Sequence, residues 1–107
     1  MNILESIRRC FHENRMLYSS HARKEMNAEE LGKVKEAEVF DSIDNAEILE
    51  DYPADKPYQS VLVLGFTTNK KPLHIVCAYD SKDDLAIVIT VYRPNPNKWI
   101  NFRTRRR

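Results

Sequence analysis

The stretch Lys71–Tyr79 constrains the fold most. It is an apolar, β-branched run with one histidine, His74, set where an apolar side chain would pack at less cost. Ser60–Phe66 before it and Leu85–Tyr92 after it have the same character. The spacing predicts three neighbouring strands of a small antiparallel sheet, with His74 on an inner one. Ala46–Tyr52, interrupted by acids, reads as a fourth strand at an exposed edge, where charge discourages pairing with another chain. Thr67–Pro72 and Asp80–Asp84 are the hairpin connections, with Asn69 available for a positive φ in the first. Gly65, in an otherwise bulky strand, marks a bulge or the close approach of another backbone.

Before Asn45 the pattern is helical. Ile3, Leu4, Ile7 and Phe11 form one apolar stripe, and Asn14 is suited to ending that helix. Ser19 or Ser20 can cap a second helix that starts Ser20-His21-Ala22 and stops by Gly32. Val39 and Ile43, four apart, place a third over Glu36–Ile43, closed by Asn45. The expected fold is α+β: amino-terminal helices packed on a four-stranded antiparallel sheet. One domain spans 1–102 and a basic tail 103–107. Alternation assigns Leu73, Ile75, Ile87 and Ile89 to the helix-covered face, and His74, Thr90 and Tyr92 to the other.

The net charge of +1 conceals a segregation. Between Glu29 and Asp55 the only bases are Lys33 and Lys35 among many acids, whereas after Tyr92 there are only bases: Arg93, Lys98, Arg103, Arg105, Arg106 and Arg107. Such a tail can meet phosphates, meet an acidic partner, or stay solvated. Cys10 and Cys77 are too few and too far apart in sequence for a metal site, and two glycines cannot make a glycine-rich phosphate loop, so no metal and no cofactor are expected. Apolar runs of strand length, and Glu5, Arg8 and Arg9 near the start, give neither a membrane span nor a secretory signal. The expectation is a soluble, cytoplasmic protein with no membrane partner.

The pattern Ser20-His21-Ala22 with Met26, then Glu47–Pro53, Pro72–Val76, and Thr90–Pro94 with Trp99 resembles a prokaryotic domain-of-unknown-function family with HAxxxM, PLHIV and TVYxP motifs. That family in turn distantly resembles RelE-type toxins and barnase-like ribonucleases. The resemblance implies helices packed on an antiparallel sheet, RNA as ligand or substrate, and an antitoxin-like protein as partner. A non-catalytic interaction module or a homodimer is the alternative. Asn27-Ala28-Glu29 stands where a base often follows the methionine, and Asn45 where glycine is usual.

Metal-free RNA cleavage needs a base for the 2′-hydroxyl proton, an acid for the leaving oxygen, and donors or charge for the phosphate. His21 and His74 are the candidate proton-transfer pair, and Thr90 and Tyr92 candidate donors. Arg23, Lys24, Arg93, Trp99 and Arg103 are the candidate nucleic-acid contacts, since aromatics interleaved with bases suit stacking and backbone binding. The competing readings are that His21 caps or packs and that His74 is a core histidine bonded to Thr90 or Tyr92. His12 falls on the polar side of the first helix and reads as surface.

Overall fold

The computed structural model describes residues 2–107. Three helices and a mixed sheet make an α+β domain: α1 (Ile3–His12), β1 (Met16–Tyr18), α2 (Ser20–Ala28), α3 (Glu36–Asp44), β2 (Glu47–Tyr52), β3 (Ser60–Phe66), β4 (Pro72–Asp80) and β5 (Leu85–Tyr92). A short hairpin, β6 (Trp99–Ile100) with β7 (Thr104–Arg105), follows. The helix ends obey local chemistry. The Asn2 side chain accepts from Glu5 N, the Ser19 hydroxyl from Ala22 N, and Asn14 takes φ 58° just past α1.

The sheet runs β1-β5-β4-β3-β2. Its last four strands pair antiparallel, but it is not the expected four-stranded antiparallel sheet. Met16–Tyr18 adds a fifth strand, parallel to β5 through Met16↔Ala86 and Tyr18↔Val88. Three residues between two helices are too few to show alternation in sequence; the strand is made by pairing with β5 and by Met16 and Tyr18 packing against the core.

The helices cover one face, where Leu4, Ile7, Phe11, Ala22, Met26, Val39 and Ile43 meet Val61, Val63, Leu73, Ile75 and Cys77. From β5 this core takes Ala86, Val88 and Val91, not Ile87 and Ile89. A bulge is the reason. Cys77 pairs with Val88 but Val76 with Thr90, leaving Ile89 as the extra residue, so the alternation changes phase within the strand. The segment entering α2 straps that bulge, with Ser19 N donating to Val88 O at 2.9 Å and the Ser19 hydroxyl to Ile89 O at 3.0 Å.

The positive φ of the first hairpin falls on Lys70 (62°), not Asn69. The bond from Lys70 N to Thr67 O sets Thr68 and Asn69 at the inner turn positions and puts the left-handed residue after them. Cys10 and Cys77 are free and buried. Among the described residues no helix is long and apolar enough to cross a membrane.

Gly65 is where α3 lies directly on β3. A Cβ built there would sit 2.1 Å from Ser42 O, a backbone atom that cannot yield without moving the helix. Gly65→Ala is therefore expected to destabilise the domain by about 3 kcal/mol, read as a lowered urea midpoint at unchanged m-value. An unchanged midpoint would show that α3 is not seated on that strand.

Candidate nucleic-acid interface

On the sheet face away from the helices, register brings Leu64, His74 and Tyr92 side by side on adjacent strands. His74 is completely buried, on a central strand, and both its ring nitrogens are engaged. Nε2 lies 2.6 Å from the Phe102 carbonyl oxygen and Nδ1 3.0 Å from the Tyr92 hydroxyl. A carbonyl only accepts, so Nε2 carries the proton and donates; Nδ1, bare in the neutral ring, accepts from Tyr92. Burial, the largest effect, lowers the His74 pKa and keeps the ring neutral; the Phe102 carbonyl opposes it, Arg105 adds to it, and Glu50 opposes it. Burial also pushes Tyr92 up to about 12.

The cover over His74 is the β6–β7 hairpin. Trp99 packs edge-on to the imidazole with centroids 4.4 Å apart, and the Arg105 guanidinium lies over the indole at 4.6 Å. Glu50 of β2 accepts from Arg105 Nε at 3.1 Å and from the Tyr52 hydroxyl, while Glu47 accepts from Arg103 at 2.7 Å. Arg105, then Tyr52, hold the Glu50 carboxyl below its ordinary range. Burying an indole removes roughly 150–250 Å² from water, on the order of 4–6 kcal/mol, against roughly 0.2–1 kcal/mol for an exposed ion pair. Trp99 docks the hairpin, and the arginine pairs fix its register.

Between the end of β5 and this hairpin opens a cleft of about 350 Å³. Tyr92, Arg93, Lys98, Trp99 and Arg105 line it together with Glu29 and Glu30 of the segment after α2.

The expected site residues divide between locations. His74, Tyr92, Trp99 and Arg103 come together around the hairpin, and Thr90, half-buried, sits beside them on β5, paired with Val76. His21 does not join them. It is exposed on α2, with Nε2 3.4 Å from Glu25, whereas His74 is walled in with both nitrogens engaged. Arg23 reaches Glu36 at 3.2 Å, and Lys24 is exposed on the same helix. The Arg93 guanidinium faces the segment before α3 and α3 itself: Nε donates to Gly32 O and Nη2 to Lys33 O and Glu38, while Nη1 is buried without a hydrogen-bond partner. His12 is on the surface, 2.7 Å from Asp44.

Glu50 and Tyr52 were not singled out as site residues, and Arg105 was named only as one of the bases of the tail. Their sole signal is the opposition of an acidic strand to a basic end, and which acid meets which base is set by tertiary register. Glu25 and Glu29 were missed too. They accept from the Val91 and Arg93 amides, completing the outer edge of β5 beyond β1.

A family model described as a domain of unknown function, DUF4258, matches residues 18–93, more than two thirds of the chain. The chain belongs to the DUF4258 family. Comparison with curated proteins and with solved structures finds no match. The DUF4258 match begins at the last residue of β1 and ends just past β5, so it includes His74 and Tyr92. The hairpin that closes over them lies outside it.

The enclosed imidazole gives a pH dependence of definite sign. Because the folded His74 pKa is depressed, its contribution to stability is fully present above the ordinary value of 6.5 and is lost as pH falls towards the folded value. The urea midpoint of the wild-type protein is expected to drop as pH falls below about 6.5, and that part of the drop to vanish in His74→Gln. Parallel curves for the two proteins would show that the ring is not held neutral.

Proposed function

We propose that this protein binds single-stranded RNA in the cleft between the end of β5 and the carboxy-terminal hairpin. The observation that carries the reading is the Arg105 guanidinium over the Trp99 ring, next to Lys98 and Tyr92 in an open cleft. Lys98 and Arg105 supply positive charge for the phosphates of a flexible strand and the half-buried Tyr92 a ring for a base, while Trp99 is buried and holds Arg105 in place. Glu29 and Glu30 also line the cleft and would repel phosphate, so the backbone would track Lys98 and Arg105. The resemblance to RelE-type toxins and barnase-like ribonucleases supports the same reading; on the face away from the helices the hairpin covers His74, so the ligand would lie in the cleft at the hairpin's edge.

The geometry favours binding over cleavage. His74 has no lone pair or proton free for substrate, and His21 points to solvent elsewhere. It also lends less support to a partner-binding or homodimeric module built on charge segregation. Arg93–Glu38, Arg103–Glu47 and Arg105–Glu50 satisfy much of that segregation within one chain.

Fluorescence anisotropy with a labelled single-stranded RNA tests this. Binding is expected to weaken steeply with salt, and Lys98→Glu or Arg105→Ala to lower affinity about tenfold. The log–log salt slope should become shallower by about 0.7 for each phosphate-contacting cation removed. No binding at low salt, or variants that bind like wild type, would end the proposal. The same RNA is expected to be recovered intact; scission abolished by His21→Ala and by His74→Ala would instead give those histidines the acid and base roles.

A further inference from the structure

The acidic segment from Glu29 to Asp55 contains two bases, Lys33 and Lys35, and both line one pocket. The third base there is Arg23 of α2, with the Asn27 amide beside it and Met26 and Val34 as apolar floor. The pocket holds about 240 Å³, equivalent to roughly eight water molecules. It is distinct from the cleft at the hairpin, with no lining residue in common.

Local structure explains why the two lysines converge. Val34 is buried, and its amide donates to Met26 O at 2.9 Å, pinning the segment to the end of α2. Lys33 and Lys35 flank the buried Val34, with Lys35 in extended backbone at the start of α3, and both line the pocket. Upstream, Gly32 turns the chain at φ 122°, and Arg93 grips Gly32 O at 2.7 Å and Lys33 O at 3.0 Å, so Lys33 is carried on backbone fixed from beneath.

The charge balance is what an anion requires. Among the described residues neither Lys33 nor Lys35 forms an ion pair, and the one carboxylate lining the pocket, Glu36, is held by Arg23 at 3.2 Å. Both partners of that bridge are more than half exposed, so it is weak and its guanidinium can be exchanged to a better acceptor. Among the lining residues three cations stand against one carboxylate, an excess of two positive charges, the charge of a phosphate monoester dianion; Glu38, which also feels Lys35, is paired with Arg93. Arg23 adds a planar fork suited to two phosphate oxygens, and the lysines add point charges for the remainder. Arg23 also sits 5.1 Å from the ring of Tyr18, whose hydroxyl is buried without a hydrogen-bond partner.

The geometry points to a phosphate-binding site in this pocket, with Arg23, Lys33 and Lys35 as its cations and Asn27 as an additional donor. It does not rest on the RNA reading of the other cleft. The ligand chemistry is a phosphoryl group, supplied either by a terminal phosphate monoester or by a nucleic-acid backbone.

The test is an amide-resolved NMR titration of the whole protein with inorganic phosphate, against sodium chloride at matched ionic strength. Saturable shifts confined to residues 23–27 and 32–36 are expected with phosphate and not with chloride. Lys33→Gln combined with Lys35→Gln should weaken that binding about tenfold or more while leaving the rest of the spectrum in place. Two short RNAs of one sequence, with a 5′-phosphate or a 5′-hydroxyl, identify the source. Shifts from the first alone assign a terminal monoester, and equal shifts from both assign the backbone. Shifts that chloride reproduces, or that persist undiminished in the double variant, would overturn the site whatever the outcome at the hairpin cleft.

Discussion

One neutral imidazole joins the two parts of this molecule that have least else in common. His74 stands on the central strand β4; the hairpin that covers it comes from the last residues of the chain, and the bond from Nε2 to the Phe102 carbonyl is the polar tie between them. Tyr92 meets the opposite nitrogen from the neighbouring strand. With one donor and one acceptor both used, the ring is satisfied without charge, which makes its complete burial affordable where a lone polar group would cost several kcal/mol. Trp99 and Arg105 are then stacked above a rigid floor. The shape of the adjacent cleft follows from that stack.

A second constraint gives the sheet its sidedness. The bulge at Ile89 lets β5 bury Ala86 and Val88 under the helices at one end and Val91 at the other, while Thr90 and Tyr92 stay on the far face. Without the extra residue, Tyr92 would not fall beside His74 while Val88 remains in the core. Ser19 and Glu25, from the approach to α2 and from α2 itself, take up the backbone groups that this irregular edge leaves open. Secondary structure and candidate site are therefore coupled through one residue of register.

Much of this is legible in the sequence where the cause is local. The helical stripes, the serine cap, the alternating runs and the misfit of a histidine among β-branched residues all lie within a few positions of each other. Gly65 announced a close backbone approach, and Ser42 O occupies the space of its missing Cβ. What escaped was non-local. Ile89 is as good a strand residue as its neighbours, so no composition signal marks it as the bulge. Met16–Tyr18 becomes a strand because β5 offers an edge far along the chain. The pairing of Glu50 with Arg105 and of Glu47 with Arg103 depends on a hairpin that folds back over β2 and β4. Charge segregation left a phosphate, an acidic partner or solvent open to the basic end, and only tertiary structure sets Glu47 and Glu50 as its partners.

The central claim is that His74 is a neutral tie beneath the hairpin. Long-range proton–nitrogen correlation spectra of the imidazoles at pH 7 test it most directly, because the two ring nitrogens of a neutral histidine resonate far apart and identify the protonated one. His74 is expected to carry its proton on Nε2 and to leave Nδ1 bare. A proton found on Nδ1 would contradict it, since the Phe102 carbonyl would then face a nitrogen with nothing to donate, and the hairpin would have to be held in another way.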